Sequence, residues 1–240
     1  MNDLLKLSIG NAKLDKKTII FDIPAGKTCN NGAKDCHSWV NVDSKGKRTI
    51  KDGENTVFRC YAASQEALFT NVYLKRKYNL DLLLNELKQD MGIYKCSELI
   101  NKSIQKIRTK NITKVRIHSS GDFFNSCYLN SWLRVCELNQ DLKFYCYSKS
   151  LNLFGTNKTL PNNFYLTASM GGIHDRLIHM GFFKRYAIVV NSKEEAITKG
   201  IEHRNKPYLI DKDDSSCFKP DPFALLIHGV QPRKNNIYII

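Results

Sequence analysis

Three cysteines in the first quarter of the chain hold the densest chemical potential in the sequence: Cys29, Cys36 and Cys60, with His37 beside the second. Their spacing, Cys29-x6-Cys36-x23-Cys60, matches no compact metal motif. Three thiolates brought together would hold a [4Fe–4S] cluster with one open iron. They would also hold zinc, with His37 or Cys217 as the fourth ligand. Unrelated free thiols would leave the same spacing. The chain has eight cysteines in all. Cys96, Cys127, Cys136 and Cys146 fall in helix-like or strand-like segments and read as small apolar packing residues.

A second set of polar residues follows apolar runs. Ile117-His-Ser-Ser-Gly-Asp-Phe-Phe124 offers Ser119, Ser120 and Asp122 around Gly121, which permits a tight turn. A plain helix cap would explain one such residue, not the group. Tyr147-Ser-Lys-Ser150 adds Lys149, a cation suited to a phosphate or carboxylate, or a solvated loop lysine. Ser169 precedes Gly171 and Gly172, whose N–H groups would be open to an anion if a helix starts there. His228 in Ile227-His-Gly-Val-Gln-Pro232 is a ligand, a base or a core histidine. The roles that follow are catalytic for Asp122, Lys149 and His228. Ser119, Ser120, Gly121, Ser169, Gly171 and Gly172 are candidates for cofactor binding, and Cys29, Cys36 and Cys60 for metal.

The elements that would position these residues alternate. Thr18–Ile23 reads as a strand ending at Pro24, and a polar, glycine-bearing loop region runs from Lys27 to Asn55. Ala62–Ala67, Leu80–Met91 and Ser97–Arg108 read as helices from their apolar spacing. Strands at Val115–His118, Phe144–Tyr147, Phe164–Ala168, Tyr186–Val190, Tyr208–Ile210 and Phe223–Ile227 are separated in part by helices at Tyr128–Leu138, Ile173–Met180 and Lys193–Lys199. Strands divided by helices imply a parallel sheet with right-handed crossovers. The expectation is a single α/β domain over residues 1–240, a complete or partial (β/α) barrel with an N-terminal cysteine-bearing loop. Residues 17–60 would carry the first strand and that loop. In such barrels chemistry sits at the C-terminal ends of the strands, where each polar group above falls.

Composition narrows the function classes. The 240 residues are 42% hydrophobic and 25% charged, as an ordinary globular domain is, which excludes global disorder and collagen. No apolar run approaches the roughly 20 residues that cross a bilayer, and the N-terminus has no secretory pattern, so the expected location is cytoplasmic, in a reducing compartment. The net charge of +14 suits a polyanion. Lys102, Lys106, Arg108, Lys110, Lys114 and Arg116 occur without an intervening acid and form a candidate DNA- or RNA-tracking surface, or a solvated helix face.

The sequence resembles the phage and plasmid family called gene product 88. The resemblance rests on Asn11-Ala-Lys-Leu14, Ile23-Pro-Ala-Gly-Lys-Thr-Cys29 with Cys36, and Phe58-Arg-Cys-Tyr-Ala-Ala-Ser-Gln-Glu-Ala67. It continues through Ser120-Gly-Asp-Phe-Phe124, Tyr147-Ser-Lys-Ser-Leu151, Leu166-Thr-Ala-Ser169 and Leu226-Ile-His-Gly-Val-Gln-Pro232. It implies a mobile-element protein in a bacterial host and supplies no known reaction. A cysteine-rich loop after the first strand of a (β/α) barrel also looks like the radical S-adenosylmethionine architecture. That analogy implies a [4Fe–4S] cluster on Cys29, Cys36 and Cys60, with the open iron binding the methionine part of S-adenosylmethionine. Ser120, Asp122, Lys149 and Ser169 would then face cofactor or substrate. The compact CxxxCxxC usual there is absent, since these cysteines spread over 32 positions. A basic accessory protein that binds nucleic acid, with zinc or no metal, is the other reading of the same residues.

Overall fold

The computed structural model describes residues 3–155, 159–227 and 231. A two-residue strand, β1 (Ser8–Ile9), runs antiparallel to β2 (Thr18–Phe21). The hairpin β3 (Ser38–Val42) and β4 (Arg48–Asp52) forms a separate two-stranded sheet. Three helices follow: α1 (Tyr61–Leu68), α2 (Thr70–Leu87) and α3 (Gly92–Ile107). The chain then alternates through β5 (Lys114–Ile117), α4 (Ser126–Leu138), β6 (Lys143–Ser148), a 3-10 turn at Leu151–Leu153, and β7 (Phe164–Ser169). It ends with α5 (Asp175–His179), β8 (Tyr186–Val190), α6 (Lys193–Arg204), a 3-10 turn at Ser215–Phe218, and β9 (Phe223–Leu226).

The main sheet has the order β1-β2-β5-β6-β7-β8-β9, and every pair from β2 onward is parallel. The expected parallel α/β sheet is present. A closed ring is not: among the described residues β1 pairs with β2 and the strand partner of β9 is β8, so the sheet keeps two edges. Two further expectations need correction. The polar stretch Lys27–Asn55 contains the β3–β4 hairpin, whose turn is Asp43–Gly46 with Gly46 at φ +78°. Tyr208–Ile210 is not a strand; Ile210 makes one isolated bridge to Ala224 at the sheet edge.

Period-two alternation gives the sheet two unlike faces. Val115, Phe144 and Phe164 lie in register on one face, where they bury against Leu99, Ile100, Ile104, Leu129 and Trp132 of α3 and α4. The α6 residue Ala196 packs on Ile188 of β8, and Ile178 of α5 packs on Ala168 of β7, on that same face. Helices on one face with strands in chain order is the single-winding pattern; a doubly wound sheet reverses its order.

The opposite face carries Ile20, Arg116, Tyr145 and Tyr165 in one register row. Here the Ser215–Phe218 turn supplies the cover: Cys217 and Phe218 pack with Tyr145, Ala187 and Phe223. Asp214, 1% exposed, anchors this turn. It pairs with Arg116, accepts from Lys13 Nζ at 2.7 Å, and accepts from the hydroxyls of Tyr147 at 3.1 Å and Tyr145 at 3.4 Å. Arg116 also lies over the Tyr147 ring, 5.1 Å from its centre. Asp214→Ala strips a buried guanidinium of its carboxylate, so urea unfolding should show a loss of about 3–5 kcal/mol. A loss below about 1 kcal/mol would mean that solvent already screens the pair.

Candidate functional site

The C-terminal end of β2 runs into Pro24-Ala-Gly26 and then the cysteine loop. Gly26 (φ +70°) lies against the next layer: a Cβ there would sit 2.4 Å from the Ser38 carbonyl. The loop turns at Cys29, whose carbonyl accepts from Ala33 N at 2.9 Å. Asp35, next to Cys36, accepts through its carbonyl from Val57 N at 2.8 Å and Phe58 N at 3.0 Å. The Ser38 hydroxyl accepts from Cys60 N at 3.2 Å. These bonds join the segment around Cys36 to the one that carries Cys60, while the Cys29 turn closes on itself.

Burial pushes all three thiols up, Cys60 to about 11. After burial, Cys29 responds to the charges of Asp122, Cys60 and Cys36, and Cys60 to that of Cys36. All three thiols are free. The N–H groups of Ala63 and Ala62, at the start of α1, oppose burial at Cys60 by favouring its thiolate. Among the described residues no three His, Cys, Asp or Glu side chains are disposed around a single metal ion.

The remaining candidates split into those that build the site and those that stand aside. Asp122 is 5% exposed, and its carboxylate is fully engaged. Oδ1 accepts from Phe123 N and the Ser148 hydroxyl, both at 2.7 Å; Oδ2 accepts from Lys149 N at 2.8 Å and Ser150 N at 3.2 Å. It therefore pins the end of β5 to the end of β6. It does not cap α4; Asn125 does, accepting from Tyr128 N at 2.8 Å. Ser119 donates to Asp22 Oδ1, and Ser120 donates to Glu66 Oε1 at 3.3 Å. Gly121 (φ +85°) lies close against the start of the cysteine loop: a Cβ would meet Ile23 Cγ1 at 2.4 Å and Thr28 Oγ1 at 2.8 Å.

Lys149 crosses from the end of β6 to that of β7. Its Nζ donates to Ser169 Oγ at 2.8 Å, to Ser169 O at 3.4 Å and to the Met170 carbonyl. The cysteine loop rests on it, since a Cβ on Gly32 would lie 2.1 Å from the Lys149 carbonyl carbon. The expected open N–H pair at Gly171 and Gly172 is overturned. Asp175 accepts from Gly171 N at 2.8 Å and Gly172 N at 3.0 Å, so the chain caps its own turn. These glycines instead seat the cysteine loop: Asp35 N donates to Gly171 O at 2.9 Å, and Ala33 bridges to Gly172.

Other expectations shift. Cys217 is buried beside Asp214, Tyr147 and Thr167, away from the cysteine loop's own network, and His37 bonds Asn30 Oδ1 at 3.1 Å and meets the Trp39 ring. Cys96, Cys136 and Cys146 are packing residues as expected, but Cys127 is exposed, because it sits off the Tyr128, Trp132 and Val135 stripe of α4. His228 lies outside the described residues. Four residues of the basic stretch are ion-paired within the chain: Lys102 with Glu98, Arg108 with Asp141, Lys114 with Asp15 and Arg116 with Asp214.

Three groups escaped sequence reasoning. Glu66 is a buried hub on α1 that accepts from Ala25 N at 2.9 Å, Arg76 Nη1 at 3.0 Å and Ser120. Its signal was a lone glutamate on an otherwise small, apolar helix. Thr28 donates to Pro24 O at 2.6 Å and accepts from Asp122 N at 3.3 Å, which ties the two turns together. Gln231 brackets Arg59: its Oε1 accepts from Arg59 N at 2.9 Å and its Nε2 donates to Arg59 O at 3.2 Å, beside Cys60. Nothing local in the sequence marks that contact.

The arrangement yields two predictions. Gly121→Ala forces the Thr28 turn away, and the accessibility of Cys29 to a thiol reagent should rise severalfold without global unfolding; an unchanged labelling rate would uncouple the two turns. His118 has φ +62° and bonds Tyr128 through Nε2 at 2.8 Å. Burial depresses its pKa from 6.5 to about 3. The unfolded chain then binds a proton that the folded chain refuses, so stability falls as pH drops from 6.5 toward 3. Replacing His118 by Asn, which tolerates this φ, should reduce that slope by up to about 1.4 kcal/mol per pH unit. An unchanged slope would assign the acid sensitivity elsewhere.

No curated protein and no solved structure matches the chain. The sequence model of the family described as Gene product 88 matches residues 4–236. That span takes in the cysteine loop, the Gly121–Asp122 turn, Lys149 and the Gln231 clasp, and it makes the chain a member of the Gene product 88 family.

Proposed function

We propose that this Gene product 88 protein is an iron–sulfur enzyme resembling radical S-adenosylmethionine proteins. Cys29, Cys36 and Cys60 would hold a [4Fe–4S] cluster with one open iron, at the mouth of a partial (β/α) barrel. What supports this reading is that the segments carrying three free thiols pack at the C-terminal end of a parallel sheet, Asp35 O accepting from Val57 N and Phe58 N, and Ser38 Oγ from Cys60 N. The donor type suits a four-iron cluster, which cysteine thiolates ordinarily hold.

The clasp supports the partial barrel. Ile227 N donates to Val190 O at 2.8 Å, and Gln231, four residues on, holds Arg59. Four residues span at most about 14 Å, so the β8–β9 end of the sheet curves back toward the Cys60 segment. When bound, the cluster supplies one-electron chemistry, and its open iron a seat for the amino and carboxylate groups of S-adenosylmethionine. The chain's own residues do the rest. Asp122 fixes the two turns beneath the loop, Lys149 Nζ is tied to Ser169 Oγ at the end of β7, and Gly32 packs closely on the Lys149 backbone. The charge of +14 supports a nucleic acid as substrate, and a small metabolite is the other substrate class.

Iron and sulfide analysis of anaerobically purified or reconstituted protein tests the reading. About four irons per chain are expected. Cys29→Ala, Cys36→Ala and Cys60→Ala should each abolish stable iron, while Cys96→Ala and Cys136→Ala should retain it and cost only packing. Iron-free protein after reconstitution, or equal loss in all five variants, would sink the proposal.

A further inference from the structure

The sheet carries a second concentration of charge where its strands begin, at the end away from the cysteine loop. Thr18, Lys114 and Lys143 open β2, β5 and β6 and are register neighbours. Beside them lies a cleft of about 670 Å³, within the roughly 300–1,000 Å³ of small-ligand sites. Its walls bear Lys13, Lys114, Lys143, Asp15, Asp213 and Phe218, so three ammonium groups face two carboxylates. The chain sets two of those cations in place. The Asn11-Ala-Lys-Leu14 turn presents Lys13, with Asn11 Oδ1 accepting from Lys13 N and Leu14 N, both at 2.8 Å. Asp15 Oδ1 accepts from Thr18 Oγ1 at 2.8 Å and from Lys17 N at 3.1 Å, while its Oδ2 holds Lys114 Nζ at 2.9 Å. Neither of the carboxylates engaged has charge to spare: Asp15 is matched by Lys114, and Asp214, on which Lys13 rests, is shared with Arg116. Lys143 is the surplus. Strand neighbours lie about 4.8 Å apart, and like charges side by side repel. Lys143 nevertheless stands next to Lys114 and forms no ion pair among the described residues; its ammonium lies over the Phe218 ring, 5.7 Å from the centre.

We propose that this cleft is an anion site that takes a phosphate group, with Lys143 as its principal cation and Lys13 and Lys114 on its walls. A lysine ammonium is a compact point charge with three rotatable donors, suited to phosphate oxygens met from several directions. A bound phosphate would offset the surplus charge and relieve the repulsion between Lys114 and Lys143. A free nucleotide and the backbone of a nucleic-acid strand both carry this group. The cleft and the cysteine loop lie at opposite ends of the strands, so phosphate binding needs no iron, and its failure would leave the iron–sulfur reading untouched.

The experiment is calorimetric titration of the full chain at low ionic strength with inorganic phosphate, adenosine monophosphate and adenosine, and fluorescence anisotropy with a single-stranded DNA oligonucleotide. Wild type is compared with Lys143→Gln, Lys143→Arg and Lys88→Gln, the last removing one charge at the end of α2, far along the chain from the cleft. Phosphate and adenosine monophosphate should bind at one site per chain, and adenosine should not. Lys143→Gln should weaken the phosphate ligands about tenfold, the order expected for one charge-assisted contact, while Lys143→Arg and Lys88→Gln stay near wild type. Lys143 is exposed and unpaired, so Lys143→Gln should keep the wild-type Tm. Tighter binding of the oligonucleotide than of adenosine monophosphate, with the same loss in Lys143→Gln, assigns the phosphate to a strand; the reverse order assigns it to a free nucleotide. Wild type that binds none of the phosphate probes overturns the proposal, as does adenosine that binds as well as its monophosphate. Equal loss in Lys143→Gln and Lys88→Gln reduces the effect to net charge and also overturns it. Equal loss in Lys143→Gln and Lys143→Arg assigns Lys143 to packing on Phe218, with the same consequence.

Discussion

The mouth of this sheet is organised around the carboxylate of Asp122. Strand ends in a parallel sheet are joined only at their backbones, and the turns beyond them would otherwise diverge. Asp122 accepts four hydrogen bonds, three from backbone N–H groups and one from Ser148, and so locks the β5 turn onto the β6 turn. Burial raises its pKa while those donors hold it down. The turn it fixes meets the cysteine loop at Gly121 and Thr28, and the turn it reaches carries Gly32 on the Lys149 backbone. A buried acceptor with every lone pair used is rigid, because losing any one partner leaves a desolvated charge short of a bond. The cysteine loop, which has little regular structure of its own, borrows its shape from that lock.

A second carboxylate repeats the logic at the other face. Asp214 collects Arg116, Lys13 and two tyrosine hydroxyls, and so roofs the face opposite α3 and α4. Between them, Asp122 and Asp214 explain how a sheet with helices on one side alone keeps a polar opposite face ordered. One staples the C-terminal end and the other the middle. Glu66 does the same for α1, joining Ala25, Arg76 and Ser120. Each is a charge whose burial is offset by several donors, and each sits where two chain segments of distant sequence must meet.

The apolar periodicity of β5 through β8 and of α3 and α4 was legible because those elements bury one face against the main core. The β3–β4 hairpin was not: it lies outside the main sheet, its residues are half exposed, and Asn41, Thr49 and Lys51 dilute the alternation that marks a strand. Tyr208–Ile210 looked like a strand by composition but meets β9 at one bridge only. In the site, the type and spacing of Cys29, Cys36 and Cys60 drew attention, while the packing of the Cys36 segment on that of Cys60 depended on Asp35 and Ser38 bonding to positions 57, 58 and 60, which no local pattern encodes. The Gly171–Gly172 turn misled because its anion is internal; Asp175, four residues on, was the visible sign that the N–H groups would be claimed. Within the basic stretch, Lys114, Arg108 and Arg116 pair with Asp15, Asp141 and Asp214, partners remote in sequence that left no local sign.

The clasp between Gln231 and Arg59 joins positions 172 residues apart. Cys60 is the immediate neighbour of Arg59, so the segment that presents the third thiol reaches its final place only after nearly the whole matched length has left the ribosome. A nascent chain with Cys29 and Cys36 already folded would display an unfinished pair of thiols for the remainder of its synthesis. The surroundings of Cys60 are thereby completed late, and their order depends on a residue synthesised long after Cys60 itself.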